Sequence, residues 1–221
     1  LIHNNLGIAL GAEGKNEEEI SHYKMAIELN PNYYKPHTNL GIALGVEGKN
    51  EEAISHYNMA IKLNPEYAPA HNGLGIALGA EGKIEEAISH YNMAIELDPD
   101  FADAYNNLGI ALRREGKNEE AISHFKMTIK LNPSYAKAHN NLGIALGAEG
   151  KIEEAISHYK MAIKLNPNYA AAHNNLGNTL GLKGVMKEAV PHYKMAIKLN
   201  PEYADAHYNL GSALDAEGKN E

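Results

Sequence analysis

Apolar residues along the chain recur in short windows, and the windows themselves recur. Leu40, Ala43 and Leu44 form one stripe, and Ala53, Ile54, Tyr57, Ala60 and Ile61 form the next. Both have the spacing of a helix with one buried face. Between them Gly48 is placed to end the first helix in a left-handed cap. Glu51 and Glu52 open the second helix, where carboxylates complement the positive end of its dipole, and Lys62 lies near the other end. Pro36 falls where a first helical turn tolerates proline, and Asn64-Pro65 stops the second helix. The phrase then repeats. Leu6-Gly7, Leu40-Gly41, Leu74-Gly75, Leu108-Gly109, Leu142-Gly143, Leu176-Gly177 and Leu210-Gly211 follow one another at 34-residue intervals. Pro31 to Pro201 and the aromatics Tyr23 to Tyr193, with Phe125 among them, keep the same period. A fixed period of this size marks a repeat architecture.

The period divides the chain into six near-complete repeats, 1–33, 34–67, 68–101, 102–135, 136–169 and 170–203, and a half repeat 204–221. No linker or shift of composition separates them, so the expectation is one elongated domain. The pattern predicts thirteen helices, two per full repeat and a last one from Ala206 to about Glu217. A lone helix pair cannot bury both of its stripes, so neighbouring pairs must stack. Small residues such as Gly41, Ala43, Ala53 and Ala60 let the axes approach. The fold class is therefore all-α, a solenoid of helix-turn-helix repeats.

The 221 residues include no Cys, which excludes disulfides and thiol chemistry. Formal net charge is -8, and no basic block interrupts it, so neither nucleic acid nor an anionic membrane is an expected partner. No apolar run approaches the roughly 18 residues a spanning helix needs. The absence of an initiator Met or signal-like start, and an ending inside the recurring phrase, read as cuts from something longer. Ile2, Leu6 and Leu10 at one end and Leu210 and Leu214 at the other lack a covering neighbour. End-to-end homo-association is an expectation from that. A cytoplasmic location is the default.

The spacing His37-x2-Leu40-Gly41-x2-Leu44, then Ala53-x3-Tyr57, then Pro65 resembles the tetratricopeptide repeat. The resemblance extends over essentially the whole chain. Departures are few. His, or Tyr105, replaces the usual large aromatic early in the first helix, and Glu19 stands where the family has Ala, suggesting a looser first repeat. Asn178, Thr179, Val185, Met186 and Pro191 break the pattern in the sixth repeat, and Pro191 should cost a helical hydrogen bond. The resemblance implies a right-handed superhelix whose first helices line a concave groove that binds partner proteins. It implies a non-enzymatic scaffold that needs no cofactor and no metal.

On the groove side of the first helices lie Asn5, Asn39, Asn107, Asn141, Asn175 and Asn209, interrupted by Gly73. An amide offers donor and acceptor together, so such a row could hold the backbone of an extended peptide. His-Asn-Asn-Leu-Gly is also similar to the repeats of protein O-GlcNAc transferases, whose asparagine ladder grips substrate peptides. A substrate-recruiting part of a longer glycosyltransferase-like enzyme is thus an alternative function. The competing structural role for Asn is a tie between adjacent helices. Ile42, Ile76, Ile110 and Ile144, with Ile8, project near the Asn row and either line the groove or pack sideways. The methionines of the second helices are expected to fill gaps between repeats. Arg113 and Arg114, the only arginines, replace Gly-Ala and suit a carboxylate or phosphate. The twelve His form two series, one per helix, and are expected to pack rather than to bind metal. No catalytic constellation is present. A dicarboxylate clamp is set aside too: co-chaperone repeats that hold chaperone tails place Lys two residues before the Leu, and here those positions are Asn4, Thr38, Asn72, Asn106, Asn140 and Asn174.

Overall fold

The structure, a computed structural model, describes residues 1–218. Those residues form thirteen helices and no strand: α1 (Ile2–Ala12), α2 (Asn16–Leu29), α3 (Tyr34–Val46), α4 (Asn50–Leu63), α5 (Ala68–Ala80), α6 (Ile84–Leu97), α7 (Ala102–Arg114), α8 (Asn118–Leu131), α9 (Ala136–Ala148), α10 (Ile152–Leu165), α11 (Ala170–Leu182), α12 (Met186–Leu199) and α13 (Ala204–Gly218). The last begins two residues earlier than its pattern suggests. Among the described residues no helix is long and apolar enough to cross a membrane. The fold is an all-α helical-repeat solenoid. Its contacts divide it into two compact units, the first Leu1–Ala111 and the second from Leu112 onward.

The turns explain the period. Gly48 adopts φ 75°, Lys49 N–H reaches the Leu44 carbonyl at 2.9 Å, and Gly48 N–H reaches that of Gly45 at 3.0 Å. These are the two bonds of a Schellman cap. At the other turn the Asn64 side chain accepts the Glu66 N–H at 3.3 Å, and Asn30, Asp98, Asn132, Asn166 and Asn200 repeat the arrangement. An Asx turn before proline is self-supporting.

Packing within a repeat explains Leu-Gly. Leu40, Leu74, Leu142 and Leu176 are buried, as are the aromatics Tyr57, Tyr91, Tyr159 and Tyr193. A Cβ added at Gly41 would stand 2.8 Å from the Tyr57 ring, and one at Gly143 would stand 2.6 Å from that of Tyr159. Glycine is needed because the ring lies on the helix backbone. First helices also pack on one another inside each unit, α1 on α3 and α3 on α5, then α9 on α11 and α11 on α13. Glu19 does not leave a void: its carboxylate lies over Gly11 and accepts the Tyr23 hydroxyl at 3.0 Å. Pro191 sits inside a helix that continues past it. The methionines depart from expectation: Met25, Met59, Met93, Met161 and Met195 face outward, each close to 40% exposed. The alanines of the same helices, such as Ala53, Ala60, Ala87 and Ala94, are fully buried.

Candidate functional site

The face built by the first helices carries the Asn row, and the row is hydrogen-bonded across repeats. In the first unit Asn39 Nδ2 donates to Asn4 Oδ1 at 2.9 Å and Asn107 to Asn72 at 3.0 Å. In the second unit Asn175 donates to Asn140 at 3.0 Å and Asn209 to Asn174 at 3.1 Å. The acceptors are buried, whereas the donors are half-buried. In each of these ties the Asn just before Leu-Gly donates to the Asn one position earlier in the preceding repeat. Asn141 is half-buried, and Asn5 is exposed. A tie of this kind uses one of two N–H groups, so the amides of Asn39, Asn175 and Asn209 keep a second N–H and a carbonyl for other contacts.

Ile8, Ile42 and Ile76 lie beside that row about half exposed, while Ile110 and Ile144 are half-buried. Cavities open beside the row in each unit. In the first unit one of about 420 Å³ touches Ile8, Gly11, Asn39 and Val46, and one of about 520 Å³ touches Ile42, Tyr57, Gly73 and Ile76. In the second unit one of about 410 Å³ touches Asn178, Leu182, Tyr193 and Asn209. Arg113 is half-buried and Arg114 exposed. Arg113 Nε is fully enclosed with no partner. Burial pushes the Tyr159 phenol up to about 12, against a hydrogen bond with Thr179 and the pull of the Arg113 guanidinium.

The two His series, separate in sequence, meet in space. His37 Nδ1 lies 3.1 Å from His56 Nδ1, and His3–His22, His71–His90, His139–His158 and His173–His192 repeat the contact at 2.9 to 3.3 Å. His71 Nε2 faces the Pro65 carbonyl at 2.9 Å, and His173 Nε2 faces that of Pro167 at 3.3 Å. A carbonyl only accepts, so Nε2 of these rings holds the proton and Nδ1 is the bare acceptor. The second-helix His then donates to it. Burial lowers the pKa of His37, His139 and His173. The offset of 19 residues was the available signal, but helix-by-helix projection does not expose it. Among the described residues no three His, Asp or Glu side chains gather as a metal site.

A TPR repeat family model matches residues 47–82, 78–114, 148–184 and 182–218, and tetratricopeptide-repeat models match 2–33, 22–55 and 102–135. The chain belongs to the tetratricopeptide-repeat family. Solved TPR structures resemble it over most of its length. YrrB, described as a TPR protein with an unusual peptide-binding site, is 25% identical with TM-score 0.64, over 84% of this chain and 96% of its own. MamA is 28% identical with TM-score 0.65, over 75% of this chain and 96% of its own. A chain of the APC/C hetero-tetramer Cut9-Hcn1 reaches TM-score 0.90 at 21% identity, over 96% of this TPR chain. That likeness speaks for the fold alone, and the present chain spans 42% of that chain's length. No curated protein matches.

Proposed function

We propose that this TPR chain is a non-enzymatic binding scaffold that holds an extended segment of a partner protein on the face of its first helices. The observation that carries the reading is the tethered Asn row. One N–H of the Asn39, Asn175 and Asn209 amides is anchored to the preceding repeat, so the amide is oriented while its carbonyl and second N–H remain for a ligand. Such amides bond a peptide backbone without reading its sequence. The exposed Ile42 and Ile76 beside them supply apolar contact. Arg113 and Arg114 take an acidic group of the partner. YrrB, whose structure is described for its peptide-binding site, lends the reading support as a relative of similar fold.

The test is a peptide array probed with the full chain, followed by affinity measurement on the peptides retained. Replacing Asn39 and Asn175 by Ala should weaken every retained peptide while circular dichroism stays helical. Unchanged affinity rejects the row as a binding element. Replacing Arg113 by Gly and Arg114 by Ala should flatten the salt dependence for acidic peptides. The same slope in that variant rejects their role.

A further inference from the structure

The Asn row has one rung absent on both sides. Donor slots are Asn39, Gly73, Asn107, Asn141, Asn175 and Asn209, and acceptor slots are Asn4, Thr38, Asn72, Asn106, Asn140 and Asn174. Gly73 would donate to position 38 by the pattern of the other rungs, and position 38 is the one acceptor slot that is not Asn. Loss of one partner alone would leave a buried amide unpaired, which is costly. Here both are replaced, so the polar rung is removed as a pair.

Three features remain at the gap. A cavity of about 520 Å³ opens there, bounded by Ile42, Val46, Tyr57, Gly73, Ile76 and Phe101. A Cβ at Gly73 would stand 2.4 Å from Tyr57 Cε1, so the Tyr57 ring occupies the space that a side chain at position 73 would need. Two polar groups are left without partners. Thr38 is 1% exposed and its hydroxyl is unpaired. Tyr57 is 4% exposed and borders the cavity, its hydroxyl makes no hydrogen bond among the described residues, and burial alone raises its pKa. A buried polar group left unmatched calls for an explanation. Beside Tyr57 the cavity wall is apolar and open: Ile42, Val46 and Ile76 are 52%, 76% and 50% exposed.

Charge indicates the occupant. Residues 1–111 carry 16 acidic and 6 basic side chains, a net charge of -10, whereas residues 112–221 carry 12 and 14, a net of +2. The cavity lies wholly in the acidic unit, and its one charged lining residue is Asp103. We propose that this cavity is a specificity pocket for one bulky apolar side chain, leucine-sized or larger, carried by an extended basic peptide segment. The proposal rests on the scaffold reading above and adds to it the residue class that is read. The Tyr57 hydroxyl meets the peptide backbone where the Asn amide is absent. The acidic unit draws the basic flanks.

Fluorescent nine-residue peptides test it, each with two lysines on either side and Leu, Phe or Ala at the centre of a Ser spacer, titrated with the full chain. The Leu and Phe peptides should bind about tenfold or more tightly than the Ala peptide. A Val46→Ser/Ile76→Ser double variant, altered only at exposed positions, should bind all three alike at the Ala level. Its thermal melt checks the fold. Replacing the flanking lysines by glutamates should weaken binding at low salt. Equal binding of all three by the unaltered chain, with weakening by Asn39→Ala/Asn175→Ala, overturns the pocket and leaves the scaffold reading standing. Absence of any binding overturns both. N-acetyl-leucine amide binding as tightly as the Leu peptide would make the cavity a small-molecule site and overturn the peptide occupant.

Discussion

Acidification from pH 7.5 to 5.5 is expected to destabilise this chain through its histidine pairs. In the His37, His139 and His173 pairs the first-helix ring accepts through Nδ1 and is committed through Nε2 to a proline carbonyl. A proton on that Nδ1 removes the acceptor and sets a buried cation against its neighbour. The second-helix ring can gain a proton at Nε2 and go on donating, so each pair refuses one proton more firmly than the other. His37, His139 and His173 are each 7% exposed, and burial, the leading cause, holds all three below the ordinary 6.5. His56, His158 and His192 are lowered as well, again first by burial. Lys24, Lys126 and Lys160 add to the effect, and Glu52, Glu154 and Glu188 oppose it.

The sign follows from proton counts. Below 6.5 the unfolded chain's imidazoles take up protons that the folded ones refuse, so stability falls with pH until the folded rings titrate in turn. Each withheld proton is worth about 1.4 kcal/mol per pH unit once the unfolded ring is charged. For the three buried acceptors the ceiling is about 4 kcal/mol lost between pH 7.5 and 5.5. Glu13 and Glu153, held low by Lys15 and Lys183, titrate below the ordinary 4.5 and do not enter this window. Urea unfolding followed by circular dichroism at pH 7.5, 6.5 and 5.5 gives the slope, and NMR titration of the imidazoles assigns it. A His37→Phe/His139→Phe/His173→Phe variant should be markedly flatter over this range. Stability that is flat or rises on acidification, or an unchanged slope in the variant, refutes the reasoning.

Other outcomes follow from single contacts. Asn175→Ala strips the buried Asn140 carbonyl of its donor and should cost about 1–3 kcal/mol in denaturant titration. Gly41→Ala pushes a methyl into the Tyr57 ring and should cost about 1–3 kcal/mol, seen as a lower melting temperature. Pro191→Ser restores the serine that other repeats carry, and with it a backbone donor inside α12. It should stabilise by up to about 3 kcal/mol, with greater hydrogen-exchange protection in that helix.

Nearly all of the fold was legible because every element is written six times. Leu-Gly, the left-handed Gly48 position and Asn-Pro each declare a local geometry, and the period repeats it. What lay beyond reach was anything that needs two repeats, or two helices, at once. Projecting one helix puts Asn39 on a face but not against Asn4, which lies 35 residues away on the preceding repeat. It likewise separates His37 from His56, although their Nδ1 atoms are 3.1 Å apart. The methionines show the converse limit. Gap-filling between repeats is what their adaptable side chains suggest, but the alanines take the buried positions and five methionines are near 40% exposed.

Regularity in a repeat chain therefore explains the fold, and each departure from it is read by what its surroundings do in response. Pro191 is answered by nothing beyond the loss of one donor in a helix that tolerates it. Glu19 is answered by the Tyr23 hydroxyl, which makes it structural. Arg113 replaces a glycine and leaves its Nε enclosed and unpaired beside Tyr159, a cost with no structural return. Thr38 and Gly73 depart together at matching slots of adjacent repeats, and an enclosed unpaired Thr38 hydroxyl and a cavity bordered by Tyr57 and Gly73 mark the place. A random change strikes one slot. Removal of donor and acceptor from the same rung is what selection for space, rather than for a tie, would leave behind.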